Sequence, residues 1–405
     1  MKLKHFLITL VAIAAGTACS LPGNENGMIE IEVGQTYPEK EIHLKEVAEI
    51  SYVKLDASAD DYLLDGSVVG ISDKTIVAFN RKTNVFLFFS IDGKPLSHFN
   101  HQGGGPEDYV VVSSVLFDEN AKELYVNDVA KKKLLVYSPD GSFKRTLPLP
   151  ANSSVGRFFN FDNNSLLLYD GMKRARSIFA AGNKEPEVAS DGDSYTYPFV
   201  RISKETGDVV EYIPVPEDFD IVLGIRLNDA ETAGITNNII PGRTMPIGYY
   251  RDGFLLYNQE TDTVFYYAKN HALAPAFVRT PPIREMSPIT YLNMLFEAGN
   301  YEFIQTHTLI KVLPGPLKTT YLARDKRDGA IYTQKIVFDD YHDADVILKP
   351  DMLLFSDGRT GFLQYPVDQL KEALADNKLN GKLRTITEGL ADEDNDLLVL
   401  LKFKP

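Results

Sequence analysis

The chain has 405 residues, with 56 acidic against 42 basic side chains, a formal net charge of -14 and one cysteine. That charge repels phosphate backbones, and no basic run beyond Lys131-Lys132-Lys133 offsets it, so nucleic acid is excluded as an expected partner. A lone cysteine excludes a disulfide framework and leaves stability to core burial, for which 44% hydrophobic content is ample.

In chain order the first predicted element is an export signal. Lys2 and Lys4 precede an apolar run from Phe6 to Ala15, then small residues lead to Cys19. A run of about ten apolar residues is too short to cross a bilayer core of about 30 Å as a helix, so residues 1–18 read as a removable signal peptide. Cys19 after Gly16-Thr17-Ala18 stands where a bacterial lipoprotein carries its acylated cysteine, although Gly16 replaces the usual Leu. The alternative is an ordinary secretory signal cut near Ala18, leaving a free thiol. Cleavage removes two lysines and no acid, so the mature body is more acidic still, and membrane attachment must come from the acyl chains. Residues 19–28, rich in Gly and Asn, read as a flexible tether, and 29–405 as the folded body.

Within the body, a self-match sets the architecture. Phe88-Phe89-Ser90-Ile91-Asp92-Gly93 recurs as Val136-Tyr137-Ser138-Pro139-Asp140-Gly141, and a degenerate copy turns at Thr206-Gly207. Each copy is an apolar run, a turn whose Gly supplies positive φ, and a second run, which predicts a β-hairpin. Another apolar segment precedes each hairpin, at Thr75 to Phe79, Glu123 to Asn127 and Ser165 to Tyr169. Four strands recurring roughly every 45 to 65 residues is propeller spacing. Gly253 to Tyr257 with Thr263 to Tyr267, and Thr319 to Ala323 with Ile331 to Val337, extend the series. Two helical insertions are predicted, one opened by Ser287-Pro288 before Tyr291, Leu292, Leu295 and Phe296, the other by Pro366 before Val367, Leu370, Ala373 and Leu374. Leu397 to Phe403 is too apolar for an exposed edge, so it is expected to close the ring by pairing with Ile29 to Val33 or Ile50 to Leu55.

These residues resemble the six-bladed β-propeller lipoproteins of Bacteroidetes, which are distantly similar to NHL-repeat propellers. The resemblance rests on Ile50-Ser51-Tyr52-Val53-Lys54-Leu55-Asp56, Gly103-Gly104-Gly105-Pro106-Glu107-Asp108-Tyr109, Asp262-Thr263-Val264-Phe265-Tyr266 and Asp394-Asn395-Asp396-Leu397-Leu398-Val399. Asn395-Asp396 departs from the Asn-Pro of relatives, and Phe338 to Asp343 blurs a late Asp-rich segment. What the resemblance implies is an all-β, six-bladed β-propeller with short helical insertions, closed by pairing of N- and C-terminal strands and exported to the cell envelope. It brings no activity with it.

The candidate chemistry is sparse. Gly103 to Tyr109 could cradle an anion, but no Lys-Ser/Thr follows and no strand-loop-helix surrounds it, so a blade crossover is the better reading, with Glu107 and Tyr109 on its backbone or facing the channel. His98 and His101 are spaced to share a ligand or metal, without a third ligand nearby. Asp339, Asp340 and Asp343 offer the hard oxygens calcium prefers, without the glycine turn of a dedicated loop; no other cofactor is expected. No Gly-x-Ser-x-Gly elbow is present, and no catalytic residue is assigned. The leading expectation is an outer-membrane lipoprotein, facing the periplasm or the exterior, that binds a small molecule, glycan or protein through propeller loops. The alternative is a glycan-directed hydrolase or lyase using carboxylates in the central funnel, which carboxyl groups of raised pKa would favour.

Overall fold

A computed structural model describes residues 28–57, 60–150, 153, 155–170, 197–216, 225–226, 238–239, 246–257, 261–309, 317–353 and 358–405. The expected signal peptide, Cys19 and most of the tether lie outside these residues.

Six sheets form the blades of a propeller. Blade one holds Ser67–Ile71, Thr75–Asn80, Val85–Ser90 and Pro95–Phe99; blade two holds Val112–Asp118, Glu123–Asp128, Lys133–Tyr137 and Phe143–Pro148. Blade three holds Val155–Asn160, Ser165–Asp170, Phe199–Ser203 and Val209–Ile213. Blade four holds Ile247–Tyr250, Gly253–Leu256, Thr263–Tyr267 and Leu273–Thr280; blade five holds Thr290–Ala298, Tyr301–Leu309, Leu317–Asp325 and Ile331–Val337. Blade six is assembled from both ends of the chain, in the order Thr360–Tyr365, Leu397–Phe403, Ala48–Lys54.

Middle strands are covered on both faces, which explains their unbroken apolar runs: every residue of Thr75–Asn80 and of Glu123–Asp128 is buried. Each neighbouring pair of blades shares one apolar cluster. Phe86, Phe88, Tyr109 and Tyr137 fill the gap between blades one and two, and comparable clusters fill the other five gaps. A closed ring needs this continuity, because an open one would leave a blade with a bare apolar face.

The repeated Gly turns have a packing cause as well as a conformational one. Gly93, Gly141 and Gly207 have φ of +88, +87 and +80°, and a Cβ there would lie 2.1 Å from Lys54 O, 2.7 Å from Phe99 Cβ and 2.6 Å from Pro148 Cδ. Each hairpin thus butts against the last strand of the preceding blade, and only Gly permits the contact.

Ring closure follows one of the two expected pairings. Leu397–Phe403 pairs antiparallel with Ala48–Lys54, from Leu397↔Lys54 to Phe403↔Ala48. Ile29–Glu32 instead adds in parallel to Leu273–Thr280 of blade four, and Glu39–His43 adds in parallel to Ile331–Val337 of blade five. The N-terminal segment is a belt around three successive blades. Within blade six, Phe403 N donates to Arg359 O (2.8 Å), repeating Ile91 N to Lys74 O, Lys204 N to Asn164 O and Lys326 N to Asn300 O. Its three strands therefore correspond to the second, third and fourth of the other blades.

The Pro366 helix is present as Val367–Ala375, followed by a second, Gly381–Glu388. The helix expected after Ser287-Pro288 is absent: Thr290–Ala298 is a strand. A register shift between Leu292 and Met294 breaks its alternation, so buried Tyr291, Leu292, Leu295 and Phe296 mimic helical spacing. No helix among the described residues is long and apolar enough to cross a membrane.

One ion pair makes the fold acid-sensitive. Arg145 grips Glu123 through two bonds of 2.7 and 2.6 Å, and its Nε donates to Lys204 O (2.8 Å) in the next blade. The guanidinium holds the Glu123 carboxyl down at about 2, against an ordinary 4.5. A depressed carboxyl contributes stability that is present above its unfolded pKa and lost as pH falls through the folded one. The unfolding free energy from urea titrations is expected to fall between pH 5 and 2, by on the order of 1–3 kcal/mol from this group, and Glu123→Gln to flatten that slope.

Candidate functional site

The two faces of the ring are unequal. First-to-second strand turns, at residues 72–74, 119–122, 161–164, 251–252 and 299–300, are short and occupy one face. Among the described residues, the opposite face receives the blade-to-blade crossovers and second-to-third connections, including the helical stretch between Tyr365 and Leu397. Because a propeller fixes its strands by packing, variation is tolerated in these connections, and binding residues concentrate there.

The crossover Gly103 to Tyr109 lies on this face. Tyr109 is fully buried; its hydroxyl donates to Asn84 O (2.6 Å) and accepts from His101 N (3.0 Å), and burial pushes its pKa up to about 12. Gly105 N donates to Asp108 Oδ2 (2.8 Å), and Lys131 Nζ donates to the carbonyls of Gly105 (2.6 Å) and Asp108 (2.8 Å). A Cβ on Gly103 would lie 2.3 Å from Asp108 Oδ2, so the glycines make room for a side chain of the loop itself. Gly105 N is taken by Asp108 and Gly103 N by Tyr109 O (3.1 Å), so these amides do not converge on an external anion. Glu107 is exposed, with its carbonyl accepting from the Tyr137 hydroxyl.

His98 and His101 are carried to opposite sides of blade one. His98 meets the Tyr62 ring at 5.2 Å, with Nε2 4.0 Å from Asp61 Oδ2. His101 stacks on Tyr137 at 5.3 Å, and its Nε2 lies 2.8 Å from Gly141 O. The acidic trio also diverges. Asp339 pairs with His43 (2.9 Å) and Lys45 (3.1 Å), Asp340 accepts from the Tyr52 hydroxyl (2.5 Å), and Asp343 is exposed beside His342. Among the described residues no group of three or more His, Cys, Asp or Glu could hold a metal ion.

Displaced carboxyl groups all shift the same way. Arg145 lowers Glu123, Arg327 lowers Asp325, and the hydroxyls of Ser90 and Ser138 lower Asp92 and Asp140; every other displaced carboxyl among the described residues also lies below its ordinary value. The raised general acid that glycoside hydrolysis uses is not among these shifted groups.

Two surface features were not expected from the sequence. Val110, Val111 and Val129 are 40–48% exposed on the long-connection face, where Val129 N donates to Val111 O (3.2 Å). At the rim of blade five lies a groove of about 930 Å³, lined by Tyr37, Glu39, Lys318 to Leu322, Thr333 to Phe338 and Tyr341 to Ile347. Its one sequence signal is the threonine-rich, alternating run from Lys318 to Ala323.

The chain is similar to several solved structures. A Bacteroides fragilis protein described as exported aligns with 93% of this chain and 100% of its own, at 16% identity and a TM-score of 0.54. A DUF4221 member from Bacteroides vulgatus aligns with 88% of this chain and 97% of its own at 11% identity and a TM-score of 0.44. A virginiamycin B lyase from Staphylococcus aureus aligns with 87% of this chain and 99% of its own at 11% identity and a TM-score of 0.37. No curated protein matches the chain. The family described as Domain of unknown function (DUF4934) matches residues 28–402, and the chain belongs to it.

Proposed function

We propose that this protein is a non-enzymatic binding module, exported and held at the cell envelope by acylation of Cys19, which presents its long-connection face to a glycan, peptide or protein ligand. The observation that carries this reading is the asymmetry of the ring: short turns on one face, and crossovers, helices and exposed valines on the other. The Bacteroides fragilis neighbour described as exported supports an extracytoplasmic location, and an outer-membrane site facing the periplasm is the reading for the anchor.

Thermal-shift screening of the body from Met28 onward against envelope glycans and peptides tests the module. A ligand at 100 times its dissociation constant adds about 2.7 kcal/mol, a readable shift. Recovery of the ligand unchanged by mass spectrometry is the expected result; turnover would replace the module with an enzyme. Acyl mass on Cys19 of the processed protein tests the anchor.

A further inference from the structure

Blade five departs from the other blades in a way that creates a binding edge. Its first three strands each run nine residues, where those of blades one to four run four to seven. Leu317–Asp325 pairs with Tyr301–Leu309 at all nine positions, but with Ile331–Val337 only at Leu322, Ala323 and Arg324. In blades one to four the third and fourth strands stay paired along most of their length.

Beyond Thr333 the fourth strand leaves the third and keeps only its outer partner. From Gln334 to Val337 it pairs in parallel with Lys40 to His43 of the N-terminal belt. There the Gln334 carboxamide donates to Leu348 O (3.0 Å) and accepts from Leu348 N (3.1 Å). Among the described residues, Leu317 to Tyr321 therefore have a strand on one side only, and the groove of about 930 Å³ opens beside them. Five residues of strand span about 17 Å, and a row of unpaired backbone groups along a slot is what an added strand requires. The slot carries Glu39, Glu41, Asp343 and Asp345 against Lys318 and Lys335; Lys335 is shared between Glu41 (3.0 Å) and Glu39 (3.6 Å), and His342 lies 3.6 Å from Asp343, so four carboxylates face two lysines and the wall charge is net negative.

We propose that blade five accepts an extended peptide segment bearing Lys or Arg as an additional strand along Leu317–Tyr321. This deepens the binding-module reading and rests on it. Backbone pairing supplies the register, and Glu39, Glu41 and the exposed Asp343 select the charge.

The test uses full-length protein in detergent and a dye-labelled, end-blocked heptapeptide, Thr-Lys-Val-Lys-Val-Lys-Thr. Saturable binding by fluorescence anisotropy, with slowed amide exchange over Leu317–Tyr321, is expected. N-methylation along one peptide edge removes at least two strand hydrogen bonds and should weaken binding about tenfold. Exchanging the three lysines for glutamates should weaken it comparably, and the exposed pair Glu39→Gln with Glu41→Gln should erase that preference while leaving the melting temperature unchanged. Equal binding of methylated and unmethylated peptides would overturn the proposal, as would saturable binding of maltoheptaose at these residues with none of the peptide. Failure of the peptide alongside a thermal-screen ligand that maps to Val110, Val111 and Val129 would overturn strand addition and leave the module reading standing.

Discussion

Deletion of Leu397–Pro405 is expected to abolish cooperative unfolding and leave an aggregating chain. Leu397–Phe403 is paired on both sides, with Thr360–Tyr365 and with Ala48–Lys54. Its side chains alternate between two cores: Leu397, Val399, Leu401 and Phe403 enter the one shared with blade five, while Leu398 and Leu400 enter the one shared with blade one. At about 1.5–3 kcal/mol for each fully buried side chain, the strand accounts for on the order of 10 kcal/mol, comparable to the whole stability of a folded protein. Its loss also strips two β-edges and invites edge-to-edge association. A calorimetric transition of near-native enthalpy in the deletion would show that another element seals the ring. The single change Leu398→Ala should cost about 2–5 kcal/mol in urea unfolding.

Asp262→Ala is the second large effect, expected to cost about 3–5 kcal/mol because it strands a buried cation. Arg279 is 1% exposed. Its guanidinium donates to the Asp262 carboxylate and to Thr290 O (2.5 Å), and the same carboxylate accepts from Ile283 N (2.9 Å). These bonds tie a second-to-third connection of blade four to the crossover entering blade five. Burial lowers the Arg279 pKa, with Asp262 opposing that shift, so the cation depends on this partner. Replacing the pair together, Asp262→Leu with Arg279→Met, removes the charge as well as its partner and should be markedly milder in the same titration. Equal losses for the single and double variants would mean that packing, not pairing, is what Asp262 contributes.

The blades were legible in the sequence because their cause is local. The Ser-x-Asp-Gly turns mark places where a hairpin meets the preceding blade too closely for a side chain, and Gly93 and Gly141 carry that constraint openly. Asp262, singled out by resemblance, turned out to be the anchor for a buried arginine. The helix expected at Tyr291 was misread because a bulge in a strand with buried side chains leaves the same spacing as a turn of helix. Gly381–Glu388 went unseen because an eight-residue helix holds too few turns to show a clear stripe. His98 and His101 looked like a pair until the strand end sent them to opposite faces. The split in blade five was beyond local reading altogether, since it arises where a strand from late in the chain leaves its neighbour while its other edge pairs with Lys40 to His43 from the start of the body.

That belt has a consequence for the order of events during synthesis. Ile29–Glu32, Glu39–His43 and Ala48–Lys54 are translated first, yet their neighbours Phe277 to Thr280, Thr333 to Val337 and Leu397 to Phe403 come from the far half of the chain. Ile29–Glu32 must therefore wait unpartnered until Thr280 is made and Ala48–Lys54 until the ribosome has nearly finished, and contacts of such wide separation form slowly once they can form at all. The belt of a polypeptide wired in this manner stays unpaired through most of synthesis, and the signal proposed at its start would act in that interval.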